Sequence, residues 1–385
     1  MNLVEYVKKF GHISLEEMPF NDADSLVLCQ FIYLNLNHCL KTFSSERVSI
    51  HDALNLDNVN EDLLVYETIF EKNSRLLFQE IRNSNRFANI TMSYLECEID
   101  TTSESQFFAL TYFLPTGEMI ITFRGTDGTL IGWKEDLNMA FLLTVPGQIK
   151  ALEYTNKVLK ENENIPFIIA GHSKGGNLAY FSAMKMDEKH LPFLKKVYNH
   201  DGPGFKHPEK LFDLNKMEQI NALSLKTVPH ASVVGVLLSH DTDVKIVKAK
   251  QIYLLQHDLF SWQINEESLQ IEYLPEYSAV SNVNEVAMKN LLKNISEEDL
   301  KDIADSILEL LGGKNVTLFD LASDPLSYLI ELGKTYSKYP LNKRMRLYRF
   351  TGAFIFQWSK AALGVTKEKV KKEKDKLFIT EKTTN

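Results

Sequence analysis

The spacing of apolar residues changes twice along the chain. Leu26, Cys29, Phe31 and Ile32 recur at near-helical intervals, and Glu67 to Asn83 is amphipathic, so residues 1–95 are predicted to be mainly helical. From about Ser105 the pattern becomes short and dense. Gln106 to Leu114 is apolar and aromatic, Pro115-Thr116-Gly117-Glu118 supplies turn chemistry, and Met119 to Phe123 is a second apolar run, together a β-hairpin. Gln148 to Glu163 places Ile149, Leu152, Val158 and Leu159 on one helical face. Ile165 to Ala170 is almost wholly apolar, as suits a parallel strand covered on both faces, and a helix over Asn177 to Met186 follows it. Further strands are predicted at Lys196 to Asn199, Leu223 to Val228 and Gln251 to Leu255. This alternation predicts an α/β unit over residues 96–270. Residues 271–366 read as helical again. Ser296-Glu297-Glu298-Asp299 resembles a capping box, and Gly312 stands where that helix would end. A charged tail, expected to be flexible, occupies 367–385.

Composition narrows the class without naming a chemistry. The 385 residues are 44% hydrophobic and 24% charged, ordinary globular values that exclude a disordered chain or a disulfide scaffold. Cys29, Cys39 and Cys97 form no metal-ligand spacing and read as buried thiols. The first twenty residues carry Glu5, Glu16 and Glu17 and no apolar core of a secretory signal, and no long uncharged apolar run occurs. The expected compartment is therefore the cytoplasm. Nucleotide-binding glycine motifs and HExxH are absent, so no cofactor and no metal are expected.

The chemistry concentrates at Gly171-His172-Ser173-Lys174-Gly175, a G-x-S-x-G match standing between a predicted buried strand and a helix. A tight strand-to-helix turn lifts the Ser hydroxyl above the sheet edge and crowds its neighbours, so glycines are needed two residues either side. The helix that follows turns its N–H groups toward the reacting oxygen. Ser173 is the candidate nucleophile, and its base should follow it in the chain. Among His190, His200, His207, His230, His240 and His257, the last is preferred because it follows the apolar run Gln251 to Leu255. For the acid, Asp201 opens Asp-Gly-Pro-Gly after a predicted strand, with Asp241 and Asp243 as rivals. Asp258 adjoins the base in sequence and is ranked below them, since neighbouring side chains diverge. The oxyanion hole would use the Lys174 N–H and a donor from the glycine-rich loop Arg124-Gly125-Thr126-Asp127-Gly128, where Thr126 offers an N–H and a hydroxyl.

Ile121 to Leu137 (ITFRGTDGTLIGWKEDL) and Ile168 to Ala179 (IIAGHSKGGNLA) resemble the α/β-hydrolase superfamily, and more closely the fungal-type lipases of lipase class 3. That family has an F-R-G-[ST] loop, a W-x-x-D element and G-H-S-x-G-G-x-L-A at the elbow. With DGPGF at Asp201 to Phe205 and QHDLFSW at Gln256 to Trp262, the pattern is similar to an uncharacterised bacterial branch of these hydrolases. The resemblance covers roughly residues 90–265. It implies an α/β-hydrolase fold with a central, mostly parallel sheet and a lipase- or esterase-like serine hydrolase acting on an acyl ester or lipid. It further implies Thr126 in the oxyanion hole, Ser173 as nucleophile, a His near a late strand, and Arg124, Trp133 and Asp136 as structural support. Two departures stand out. Lys174 replaces an apolar residue, and Thr227 to Leu238 lacks the family's acid-bearing loop.

The net charge of −8 hides an asymmetry. Residues 338–376 carry twelve Lys and Arg against Glu368, Glu373 and Asp375, a local +9, which leaves −17 elsewhere. No nucleic-acid reading element accompanies this stretch, so no nucleic-acid partner is expected. A basic, aromatic-bearing amphipathic segment suits peripheral contact with an anionic membrane. The competing expectation, favoured by the mixed-sign tail, is a solvated helix whose apolar face packs on the hydrolase core.

Overall fold

A computed structural model describes residues 1–36, 40, 44–55, 71–100, 105–126, 135, 138–139, 142–238, 243–251, 253–278, 281–283, 286–287, 290–291, 295–310, 325–353 and 355–361. Strand β1 is Val48–Ser49, β2 Thr91–Asp100, β3 Ser105–Phe113, β4 Met119–Phe123 and β5 Phe167–His172. These continue as β6 Leu194–His200, β7 Ser224–Pro229, β8 Val244–Val247 and β9 Tyr273–Leu274. Among the described residues the nine strands form one sheet whose spatial order equals chain order. The central strands β4 to β8 run parallel, and antiparallel pairings flank them on both sides. The architecture is α/β, as the alternation of elements predicts, and agrees with the α/β-hydrolase fold that the motif resemblance implies.

Alternation along each strand divides the core in two. On β3, β4 and β5, Phe107, Ala109, Met119, Ile121, Phe167 and Ile169 belong to one apolar cluster. Phe108, Leu110, Ile120, Ile168 and Ala170 belong to another. Sequential order combined with right-handed crossovers would put every crossover helix on one side. Helices α5 (Pro146–Glu161), α6 (Lys174–Lys185) and α7 (Leu214–Leu223) do contribute to a single cluster. The other face needs a cover, and the N-terminal helices supply it. Helices α1 (Leu3–Phe10), α2 (Asp22–Phe31), α3 (Ile50–Leu54) and α4 (Glu71–Arg82) all feed the opposite cluster.

Helix α2 is buried on almost every side, so its one internal charge needs a partner. Asp24 accepts from Tyr6 Oη (2.9 Å) and from Arg86 Nε (2.7 Å). The Arg86 guanidinium also donates to the carbonyls of Met18 (2.8 Å) and Pro19 (3.2 Å), tying the loop before α2 to the core.

Two features depart from the sequence expectation. Residues 91–95 begin a strand rather than ending the helical segment. The alternation that would reveal β2 is interrupted by a bulge between Ser93 and Glu96, where Tyr94 takes φ +57° and both Tyr94 and Leu95 are buried. The predicted strand Gln251 to Leu255 does not form. The place beside β7 is taken by β8, and Tyr253–His257 winds into a 3₁₀ turn instead. The Ser296 cap is present, with Asp299 N–H donating to Ser296 Oγ (3.1 Å) at the start of α8 (Glu297–Leu310). Cys29 is buried and Cys97 partly so, while Cys39 and Gly312 lie outside the described residues.

Candidate active site

The loops after β4, β5 and β6 leave the carboxyl ends of three adjacent parallel strands. Phe123 pairs with Gly171 and His172 with His200, which sets Arg124, Ser173 and Asp201 side by side. Ser173 caps α6 with φ +58° and ψ −133°, a left-handed conformation that costs a non-glycine residue about 1–3 kcal/mol. Its N–H donates to the His200 carbonyl (2.8 Å), which fixes the turn. The two flanking glycines face each other: a Cβ at Gly171 would strike the Gly175 carbonyl. Gly125 approaches from the neighbouring loop, where an added Cβ would lie 2.8 Å from Ser173 Cβ. The loop carrying Thr126 therefore runs against the serine.

Asp201 is fully buried, also at positive φ (+50°), and its N–H donates to the Thr227 carbonyl (2.7 Å). One carboxylate oxygen accepts from Ser232 Oγ (2.7 Å). The other lies 2.6 Å from His257 Nδ1. A carboxylate only accepts, so Nδ1 carries a proton and, in the neutral ring, Nε2 holds the lone pair. The His257 side chain is 25% exposed. Its segment is pinned by Gln256, whose Oε1 accepts from Ala231 N–H (2.9 Å) and whose carbonyl accepts from Trp262 Nε1 (2.9 Å). The QHDLFSW stretch is thus a brace for the imidazole. Asp258 turns away and caps Phe260 N–H (3.1 Å).

His172 joins the two halves of the site. Burial, and then the neighbouring charge of His257, holds its pKa well below the usual imidazole value, so the ring is neutral. Its Nε2 lies 2.8 Å from the His257 carbonyl and must donate there. Nδ1 then accepts from Tyr33 Oη (3.0 Å), which in turn accepts from Gly125 N–H (3.1 Å). A directed chain runs from the Thr126 loop through Tyr33 and His172 to the backbone of His257. The rings of His172 and His257 pack with centroids 4.6 Å apart and planes tilted by 35°.

Lys174, the departure from the lipase motif, is buried in an ion pair. Its Nζ donates to Glu135 Oε2 (2.7 Å) and to the Gln106 carbonyl (2.7 Å), while Glu135 Oε1 accepts from Gly147 N–H (2.7 Å). A cation beside the serine is tolerated because the buried Glu135 supplies its partner. Beyond Asp201, Lys226 Nζ donates to the Gly202 carbonyl (2.8 Å), and burial pushes its pKa down to about 7 against the attraction of Asp201. Arg124 is buried with its guanidinium 4.2 Å over the Phe108 ring. His200 is buried between Ser25 Oγ (2.8 Å) and Thr227 Oγ1 (2.7 Å), a structural role.

The structure thus brings Ser173, Asp201, His257, the Thr126 loop and Lys174 to one end of the sheet. Trp133, Asp136 and Asp241 lie outside the described residues. Tyr33, Glu135, His172, Lys226 and Ser232 were not singled out by sequence. Of these, His172 lies inside the elbow motif and Glu135 inside the W-x-x-D element, while Tyr33, Lys226 and Ser232 carried no local signal. A cavity of about 610 Å³ beside Phe20, Thr116 and Pro166 lies at the opposite, amino end of the parallel strands and is separate from this site.

A protein-family model described as Mbeg1-like matches residues 81–309, well over half of the chain. Among curated proteins, none matches in sequence. Solved structures similar to this chain include a mono- and diacylglycerol lipase from Aspergillus oryzae, at 14% identity and TM-score 0.40, covering 66% of this chain and 87% of that one. A variant of MDLA from Penicillium cyclopium gives 13% identity, TM-score 0.39 and coverage of 65% and 83%. The Rhizomucor miehei lipase in its propeptide complex gives 11%, 0.38, and coverage of 68% and 73%.

Proposed function

The chain belongs to the Mbeg1-like family, and for this member we propose a serine hydrolase that cleaves a carboxylic ester, of a lipid or another acyl compound, through an acyl-enzyme. The observation that carries this reading is the 2.6 Å contact of His257 Nδ1 with the buried Asp201, beside a serine held at positive φ. That pairing orients an imidazole with Nε2 unprotonated, which is what a general base requires.

In the proposed reaction Ser173 Oγ attacks the ester carbonyl carbon and its proton passes to His257 Nε2. Thr126 and the Lys174 N–H stabilise the oxyanion, and Asp201 stabilises the imidazolium. The alcohol departs with the His257 proton. Water, deprotonated by the same nitrogen, then releases the acid and regenerates the serine. Arg124, Trp133 and Asp136 would support the oxyanion loop.

A second reading is a non-catalytic module that retains the fold for binding. It is favoured by Ser173 being only 8% exposed. One measurement separates the two. A fluorophosphonate probe should label the wild-type protein and leave Ser173→Ala unlabelled. An unlabelled wild type supports the module, and labelling that persists in Ser173→Ala removes Ser173 as the nucleophile.

A further inference from the structure

Helical residues 341–353 and 355–361 are turned inside out relative to an ordinary surface helix. Their inward contacts combine ion pairs with a limited apolar seam. Lys343 pairs with Glu309, and Arg346 pairs with Asp299 and Asp302 on α8. Leu347 and Phe350 add an apolar contact with Ile303 and Tyr339, and Ala361 packs with Val283 and Ala287. The outward positions carry the large apolar side chains. Leu341 is 68%, Tyr348 70% and Phe356 64% exposed, and Met345 and Ile355 are exposed with them. Steps of four, three, four and three residues lead from Leu341 through Met345, Tyr348 and Gly352 to Ile355, with Phe356 adjoining. At helical spacing that is one stripe. Arg344 borders it on one side, and Arg349 and Lys360 on the other.

The expectation that this apolar face packs on the hydrolase core is not met at Ile355 and Phe356, which are exposed, whereas Phe350 packs against Ile303, Tyr339 and Leu347, and Phe354 lies outside the described residues. The ion pairs to α8 hold the helix with its stripe outward. Among the described residues no helix is long and apolar enough to cross a membrane. An apolar row flanked by cations matches the depth profile of a bilayer surface, where acyl chains take the apolar side chains and headgroup phosphates take the Arg and Lys. We propose that this face docks the protein on anionic lipid surfaces. The proposal deepens the ester-hydrolase reading by naming where a lipid ester would be met, but its test needs no hydrolysis.

The full-length Ser173→Ala protein is sedimented with vesicles of phosphatidylcholine, with and without phosphatidylglycerol. Binding to the phosphatidylglycerol vesicles is expected. Phe356→Glu should weaken it at least tenfold, and Arg349→Gln with Lys360→Gln should weaken it by about fivefold for each charge removed at low salt. Circular dichroism of the same samples should be unchanged, because these positions are exposed. Absence of binding, or binding indifferent to both sets of substitutions, overturns the proposal. So does a dimer in sedimentation equilibrium that Phe356→Glu dissolves in a protein that ignores vesicles, since a second copy is then the occupant. Wild-type protein that takes the fluorophosphonate probe but ignores vesicles overturns only this inference. Vesicle binding by a chain that resists the probe overturns only the hydrolase reading.

Discussion

His257 Nδ1 lies 2.6 Å from Asp201 Oδ2, across fifty-six residues of chain, with the carboxylate wholly buried and its second oxygen held by Ser232. Asp201→Asn keeps the shape but replaces an acceptor with an amide that can donate, so the imidazole loses both its orientation and its counter-charge. A fall in kcat of about 10²–10⁴ is expected in a protein with an unchanged melting profile. Hydrolysis of a chromogenic ester by the two proteins measures it. Equal rates would move the acid elsewhere, with Asp241→Asn the next variant to assay.

Tyr33 reaches the site from the end of the N-terminal cover, where its hydroxyl bridges Gly125 N–H and His172 Nδ1. Tyr33→Phe keeps the ring contact with His172, at 5.9 Å between centroids, and removes that bridge. In the proposed mechanism, loosening the Thr126 loop acts on the transition state, so kcat should fall about tenfold with KM nearly unchanged. A change in KM alone would assign Tyr33 to substrate contact instead.

The contrast between these residues and the elbow shows what sequence conveys. The turn around Ser173 is local: strand, two glycines and helix occupy under twenty consecutive residues, and steric crowding fixes their spacing. The α/β alternation is legible for the same reason, because each buried strand is a short continuous apolar run. Contacts between distant segments leave no periodic trace. Ser232 and Lys226 beside Asp201, Glu135 beside Lys174, and Tyr33 beside His172 are visible only once the sheet sets those loops together. The bulge at Tyr94 hid a strand by interrupting its alternation, and the apolar run before His257 suggested a strand because composition alone does not distinguish a ladder partner from a 3₁₀ turn.

Lys174 and Glu135 are a buried pair with side-chain exposures of 1% and 0%. Lys174→Leu strands a carboxylate that would keep Gly147 N–H but lose its cation, so a loss of about 3–5 kcal/mol is expected in urea unfolding. Adding Glu135→Gln to that variant removes the stranded charge and retains an acceptor for Gly147. The double variant should regain a measurable part of the loss, and the non-additivity reports the coupling. Additive losses would mean that the two side chains stabilise the fold independently.

Lys226 gives the fold a pH signature. Burial lowers its pKa to about 7, whereas an unfolded Lys titrates near 10.4. Below pH 7 both states hold the proton and the full cost of burying the charge is present. Between the two values the unfolded chain binds a proton that the folded chain lacks, so this group makes stability rise with pH, by up to about 1.4 kcal/mol per unit. Lys226→Met removes that contribution. It also leaves the Gly202 carbonyl without this donor, but that penalty does not vary with pH. The stability of the wild type relative to Lys226→Met should therefore climb as pH is raised from about 7 to about 9.5 in urea unfolding series. A flat difference would mean that folded Lys226 keeps its proton throughout, with the attraction of Asp201 outweighing the burial.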